Sequence, residues 1–175
     1  MNPRRSLIWC GLLMLLALLA APAGALAQGG KPDPLHDVAY DQRLDSQVPL
    51  DLPFVDEQGH KVVLGDYFGT QPVVLQLSYY ECPMLCSLVR QGMLDALKSV
   101  TLSAGTDFQV VNVSIDPLET SMMAANAKAA AVASYGRAGS AAGMHFLTGT
   151  QDAIDQLAKA VGFRYVYDAT IDQYA

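Results

Sequence analysis

Leu77-Ser-Tyr-Tyr-Glu-Cys-Pro-Met-Leu-Cys-Ser-Leu-Val-Arg90 is the stretch on which the reading of this chain turns. An apolar run with two β-branched residues, Val73 to Leu77, leads into it. Apolar residues at helical spacing, from Cys86 to Val100, lead out of it. The pattern predicts a strand, a loop, and a helix that starts at or just after Cys86. Both Cys82 and Cys86 would then lie near a helix N-terminus, where unpaired amide N–H groups favour negative charge. That setting is expected to lower the thiol pKa and favour thiolate, the form that attacks disulfides and binds metal. Pro83 suits the placement, because proline is tolerated in the first helical turn and little further in. Residues four apart share one helix face, with Cα atoms roughly 6 Å apart, inside disulfide range. The pair reads as redox-active or metal-binding. The bland alternative is two small hydrophobes buried side by side.

The rest of the chain narrows the setting. Residues 1–27 have the pattern of a secretory signal peptide: Arg4 and Arg5, an unbroken run of apolar residues and glycine from Leu7 to Ala21, then Pro22 and Ala25-Leu26-Ala27. Cleavage is expected before Gln28. An uncleaved membrane anchor is the alternative, although the run is short for a span of about 20 residues. Without residues 1–27, Cys10 is lost and only Cys82 and Cys86 remain. The 11 basic residues become 9 against 17 acidic, a net charge of −8. Such an acidic chain is a poor partner for nucleic acid or anionic lipid. An exported protein resides where disulfides persist. One disulfide closing so short a loop would add little stability, so the pair is read as chemical rather than structural.

Residues 28–50, rich in Gly, Pro, Asp and Gln, read as a linker or a loosely docked arm, and residues 51–175 as one domain. Within it the pattern predicts a β-hairpin over Leu52–Leu64 and a buried parallel strand from Val73 to Leu77. A helix follows over 86–100, with Leu85, Leu88, Val89, Met93, Leu94, Leu97 and Val100 at helical intervals. Next come a strand over Phe108–Ile115, a helix capped by Thr120 or Ser121 and running to about Tyr135, and a strand over Met144–Leu147. A helix over Asp152–Val161 capped by Thr150 and a last strand over Phe163–Tyr167 complete the order. Strands alternating with helices indicate an α/β sheet with helices on both faces and the cysteines at a strand's carboxyl end, where such sheets place ligands. That last strand has only Asp168–Ala175 after it, so the pattern leaves an unpaired edge, and a longer parent sequence is expected. Tyr67 and Phe68 read as packed aromatics, His60 as exposed beside a turn, and His36 as solvated. Met93 reads as core, and Met84 as lining the loop or as a soft copper ligand.

Three motifs taken together resemble the Sco/SenC copper proteins: Tyr79-Tyr80-Glu-Cys82-Pro83-Met-Leu-Cys86, Val113-Ser-Ile-Asp116-Pro117 and Phe146-Leu-Thr-Gly149. The resemblance runs from about Asp51 to Ala175. It implies a thioredoxin-like fold: a central sheet flanked by helices, with an N-terminal β-hairpin. It implies a periplasmic location and a role in assembling the CuA centre of cytochrome c oxidase, as copper chaperone, thiol-disulfide reductase or both. The implied partners are the oxidase subunit that carries CuA and other periplasmic copper carriers. The implied cargo is copper, as Cu(I) or Cu(II), held by Cys82, Cys86 and a distant histidine. In similar bacterial members that histidine follows Gln-Tyr-Ala, so the resemblance places it just beyond Gln173-Tyr174-Ala175, with a further hairpin and helix. His36, His60 and His145 do not match its position, and His145 aligns with a packed aromatic. The chain departs from the pattern at Met84-Leu85, where many members have Asp-Val, and at Thr120, where many have Asp. The rival reading is a general dithiol reductase or peroxidase. Against it, three residues rather than two separate the cysteines, no proline follows Pro117 to form a cis-proline loop, and Arg90 is the only basic residue nearby.

Overall fold

The computed structural model describes residues 37–69, 71–83 and 85–174. The signal-peptide reading, Cys10, His36, Met84 and Ala175 lie outside the described residues. Among the described residues no helix is long and apolar enough to cross a membrane.

The core is a parallel sheet of three strands: β4 (Val73–Ser78), β5 (Gln109–Ser114) and β6 (Met144–Leu147), in the order β4-β5-β6. Val74 pairs with Val110, Ser78 with Ser114, and Val111 with His145. Strand β5 is bonded on both edges, and Val110, Val111 and Val113 are fully buried. Alternate residues point to opposite faces. Val110, Met144 and Phe146 meet α1 (Leu85–Ser99) and α2 (Ser121–Tyr135) on one face. Val111, Val113 and Leu147 meet α3 (Gln151–Val161) on the other, through Ile154 and Leu157. Helices therefore cover both faces, as expected. Helix α2 lies close because it presents Ala124, Ala127 and Ala131 inward. Thr120 and Thr150 cap α2 and α3 by accepting from Met123 N and Ala153 N.

The expected hairpin is β2 (Pro53–Val55) with β3 (Lys61–Val63), antiparallel. It joins the sheet where Val55 and Thr148 exchange both backbone bonds, at 2.8 and 2.9 Å. Gly149, in the Phe-Leu-Thr-Gly motif, lies against the Phe54 ring: a Cβ there would stand 2.6 Å from it. At the hairpin turn the buried Glu57 carboxylate pairs with Lys128 of α2 and accepts from Phe146 N at 3.1 Å. Burial pushes the Glu57 carboxyl up, but Lys128 and the Phe146 N–H outweigh it and hold the group below its ordinary value.

Four expectations are corrected. Leu85, Leu88 and Val89 do not face the core; they are 66%, 68% and 61% exposed, and only Leu94 of α1 is fully buried. At about 100° per residue these three project roughly 120–180° from Leu94, so the apolar positions of α1 surround the helix rather than forming one stripe. Strand β4 is only half-buried at Val73, Val74, Leu75 and Leu77, because among the described residues it has a strand on one side alone. The strand expected over Phe163–Tyr167 is two pieces. Strand β7 (Phe163–Arg164) pairs with β1 (Ala39–Tyr40), which lies in the segment read as a linker or a loosely docked arm. Asp41 N donates to Gly162 O at 2.7 Å, and Gly162 has φ 75° with Asp41 O 1.9 Å from where a Cβ would be, so only glycine fits. Strand β8 (Tyr167–Asp168) pairs with β9 (Gln173–Tyr174), so the strand end that the sequence pattern left unpaired has a partner.

Breaking the Glu57–Lys128 pair leaves a buried carboxylate without its counter-ion. Lys128→Met is expected to lower stability by about 3 kcal/mol at pH 7, read from urea unfolding. A loss below about 1 kcal/mol would show a solvent-screened pair with no structural weight.

Candidate metal and redox centre

Strand β4 ends at Ser78, and the chain turns through Tyr79 to Pro83 before α1 begins at Leu85. Cys82 therefore lies on the loop and Cys86 in the first helical turn, at the carboxyl end of the sheet. The structure brings the two expected site residues together. Both are half-buried thiols, not joined in a disulfide. Two backbone amides serve the sulfurs: Cys86 N donates to Cys82 Sγ at 3.3 Å, and Tyr79 N donates to Cys86 Sγ.

The two sulfurs differ in setting. Burial pushes the Cys86 thiol up from its ordinary 9.0 to about 11. The Tyr79 N–H pulls it back, the Cys82 neighbour adds to the rise, and the Arg90 guanidinium opposes it. This corrects the expectation that the helix N-terminus lowers both thiols: at Cys86 desolvation outweighs the amide field. Cys82 instead receives the first-turn amide directly, a donor that stabilises a thiolate. The Tyr79 phenol is raised by burial and then by its hydrogen bond with Cys82. Its ring meets Tyr174 edge-on at 5.5 Å. Arg90 Nη1 is buried and has no hydrogen-bond partner among the described residues.

Other predicted residues lie elsewhere. The imidazole of His60 is exposed and pairs with Asp56 at 3.2 Å. His145 lies on β6, stacks on Tyr67 at 4.4 Å and is bonded to Gln109 at 3.0 Å, away from the strand end that carries the thiols. Met93 and Phe68 pack against the cores, as read. No group of three or more His, Cys, Asp or Glu side chains is placed to hold a metal ion among the described residues. The site's donor set here is two sulfurs, which suits a soft ion.

Sequence reasoning missed Glu119. Its carboxylate is 7% exposed and accepts from Tyr80 N at 2.6 Å, Glu81 N at 2.8 Å and Ser114 Oγ at 2.5 Å. Thr120, one residue later and the position where many family members have Asp, caps α2 instead. The sequence signal was Glu119 itself, the acid between Asp116-Pro117 and the cap. Beside the thiols an open groove of about 710 Å³ is walled by Tyr79, Pro83, Pro117, Leu118, Ile171 and Tyr174. Glu81, Asp116 and Asp172 bring carboxylates to the same groove.

Residues 41–174 match the SCO1/SenC family. The chain belongs to that family. A candidate electron transfer protein from Aquifex aeolicus is similar in structure, at 24% identity and TM-score 0.62, over 76% of this chain and 73% of its own. Arabidopsis thaliana ScoI with copper bound has TM-score 0.54 at 17% identity, over 71% and 74%. A SCO1/SenC family lipoprotein from Bacillus anthracis has TM-score 0.57 at 18% identity, over 78% and 77%. No curated protein matches the chain. The fold of this SCO1/SenC member is the α/β, thioredoxin-like one of its neighbours.

The raised Cys86 thiol has a consequence for the reduced SCO1/SenC chain. As pH climbs, the unfolded thiol loses its proton near its ordinary value, while the folded thiol keeps it until about 11. Unfolding then releases a proton, so stability is fully present below pH 9.0 and falls as pH rises towards 11. Cys86→Ser is expected to flatten this part of the stability–pH curve measured under reducing conditions. An unchanged slope would place the ionisation elsewhere.

Proposed function

We propose that this protein is an exported copper carrier whose Cys82 and Cys86 bind Cu(I) and also serve as a thiol-disulfide reductant, in support of CuA assembly in cytochrome c oxidase. The observation that carries the reading is the pair of adjacent, half-buried thiols, each reached by a backbone N–H, at the carboxyl end of β4. Family membership and the copper-bound Arabidopsis relative support the choice of cargo. The leader pattern of residues 1–27 supports export to the periplasm, and the CuA-bearing oxidase subunit is the partner that the family suggests.

Copper is cargo in this reading. Two thiolates suit Cu(I), and transfer proceeds by exchange of one thiolate for a thiolate of the acceptor, so the ion is never released to water. In the redox reaction the Cys82 thiolate attacks one sulfur of a target disulfide, and the other leaves as thiolate. Cys86 then loses its proton and attacks the Cys82 sulfur, which expels the reduced target and leaves a Cys82–Cys86 disulfide. Two electrons pass to the target, and an external dithiol must return them. Cys82 is assigned the attack because its sulfur accepts from Cys86 N, whereas burial holds the Cys86 proton.

The test is Cu(I) titration of the reduced protein in competition with a chromophoric chelator. One ion per chain is expected. Cys82→Ser and Cys86→Ser should each weaken binding by more than the roughly 100-fold that loss of an outer-shell partner costs. In a parallel assay of a disulfide-bonded CuA-domain peptide, Cys86→Ser should trap the mixed disulfide and Cys82→Ser should be inert. Full Cu(I) affinity in either variant would remove the thiol pair as the carrier site. A mixed disulfide trapped by Cys82→Ser instead would reverse the order of attack.

A further inference from the structure

The segment before Cys82 has left its strand. Strand β4 ends at Ser78, so the amides of Tyr80 and Glu81 have no ladder partner and need one elsewhere. Both donate to a single oxygen, Glu119 Oε1, at 2.6 and 2.8 Å. The second carboxylate oxygen accepts from Ser114 Oγ at 2.5 Å. Three donors on one buried carboxylate are charge-assisted bonds, stronger than neutral ones and shielded from water.

Glu119 is itself held. Its own N–H donates to Asp116 O at 3.2 Å, and Leu118 N donates to Asp116 Oδ1 at 2.8 Å, which closes the turn after β5. Ser114 Oγ accepts from Asp116 N at 3.0 Å. An acid just ahead of a helix would ordinarily serve that helix's own amides. Here Thr120 Oγ1 caps α2, and the Glu119 carboxylate faces the other loop. The far end of Tyr80 is tied as well: its hydroxyl donates to Leu147 O at 2.7 Å, with Asn112 O at 3.1 Å. Cys86 rides on α1, so its place follows the helix. Cys82 rides on the loop, so its place follows whatever holds Tyr80 and Glu81.

We propose that Glu119 is the positioning residue of the dithiol site: its buried carboxylate fixes the backbone of Tyr80 and Glu81 and thereby sets where Cys82 stands relative to Cys86. The proposal rests on the reading of Cys82 and Cys86 as the working pair. It makes the segment Asp116–Glu119 part of the site's machinery through the loop it holds, with no contact to the cargo required.

The test compares Glu119→Ala with Glu119→Gln. Gln keeps an acceptor oxygen for Tyr80 N and Glu81 N, and its amide can donate to Ser114 Oγ, which turns to accept. Ala removes every bond. With folded protein verified by circular dichroism, three quantities are read: Cu(I) affinity, the equilibrium of the dithiol with oxidised glutathione to give the Cys82–Cys86 disulfide and two reduced glutathiones, and amide exchange at Tyr80 and Glu81. Glu119→Ala is expected to weaken Cu(I) binding about 10- to 100-fold, as loss of an outer-shell support does. It should lower the constant for disulfide formation about tenfold, which is about 30 mV. Exchange at the two amides should accelerate, and Glu119→Gln should restore all three towards wild type. If Glu119→Ala does not fold, Ser114→Ala removes the support of Oε2 together with the Asp116 N bond of the same turn, leaves Oε1 on Tyr80 N and Glu81 N, and should move the same quantities in the same direction, by less. Unchanged affinity and disulfide equilibrium in a folded Glu119→Ala protein would overturn the proposal, even with a lowered melting temperature. Wild-type protein that forms the disulfide but takes up no Cu(I) would overturn the carrier reading instead, and the glutathione equilibrium would still decide the role of Glu119.

Discussion

Strand β5 is the constraint from which the rest follows. It is hydrogen-bonded on both edges and covered on both faces, so every side chain on it must be apolar or internally satisfied. Val110, Val111 and Val113 meet the first condition. Asn112 meets the second: its Oδ1 accepts from Ser78 Oγ at 3.0 Å, and its Nδ2 donates to Gln76 Oε1 at 2.8 Å. These bonds cross to β4 in register, Gln76 beside Asn112 and Ser78 beside Ser114. A slip of one residue would turn the valines and the amide onto the wrong faces. The register therefore sets where β4 ends, and with it where the cysteine loop begins.

The polar line continues past the sheet. Ser114, the last residue of β5, meets the carboxylate of Glu119, which in turn holds the loop leading to Cys82. The thiols thus stand at the end of a chain of satisfied buried groups that starts in the core. Around them two influences oppose each other. Amide N–H groups favour negative sulfur, while burial and the neighbouring thiol resist it. At Cys86, in the first helical turn, burial wins. A thiol whose proton is held by burial, as at Cys86, suits the resolving step that follows attack.

Much of this architecture was legible in the sequence. Thr120 and Thr150 announced two helices, since a threonine ahead of an apolar or alanine-rich run caps the first turn. Val110, Val111 and Val113 marked Phe108–Ile115 as a strand, because β-branched residues suit extended backbone. Other features misled for physical reasons. Leu85, Leu88 and Val89 counted towards helical spacing, yet spacing does not say which stripe faces the core when apolar residues encircle the helix. Phe163–Tyr167 looked like one strand, but its two halves found different partners, and strand pairing is non-local.

The sequence by itself determined the chemistry available: two cysteines with three residues between them, at the start of a helix and after a strand, in a chain of the SCO1/SenC pattern. Covalent spacing and local propensity suffice for that, because both act within a few residues. Only the tertiary structure decided how the pair is held and how its members differ. Glu119 is 38 residues from Glu81 in sequence and 2.8 Å from it in space. The rise of the Cys86 thiol comes mainly from burial by packed elements rather than from its neighbours in the chain. Desolvation and long-range hydrogen bonds depend on what the fold brings together, and no window of sequence contains them.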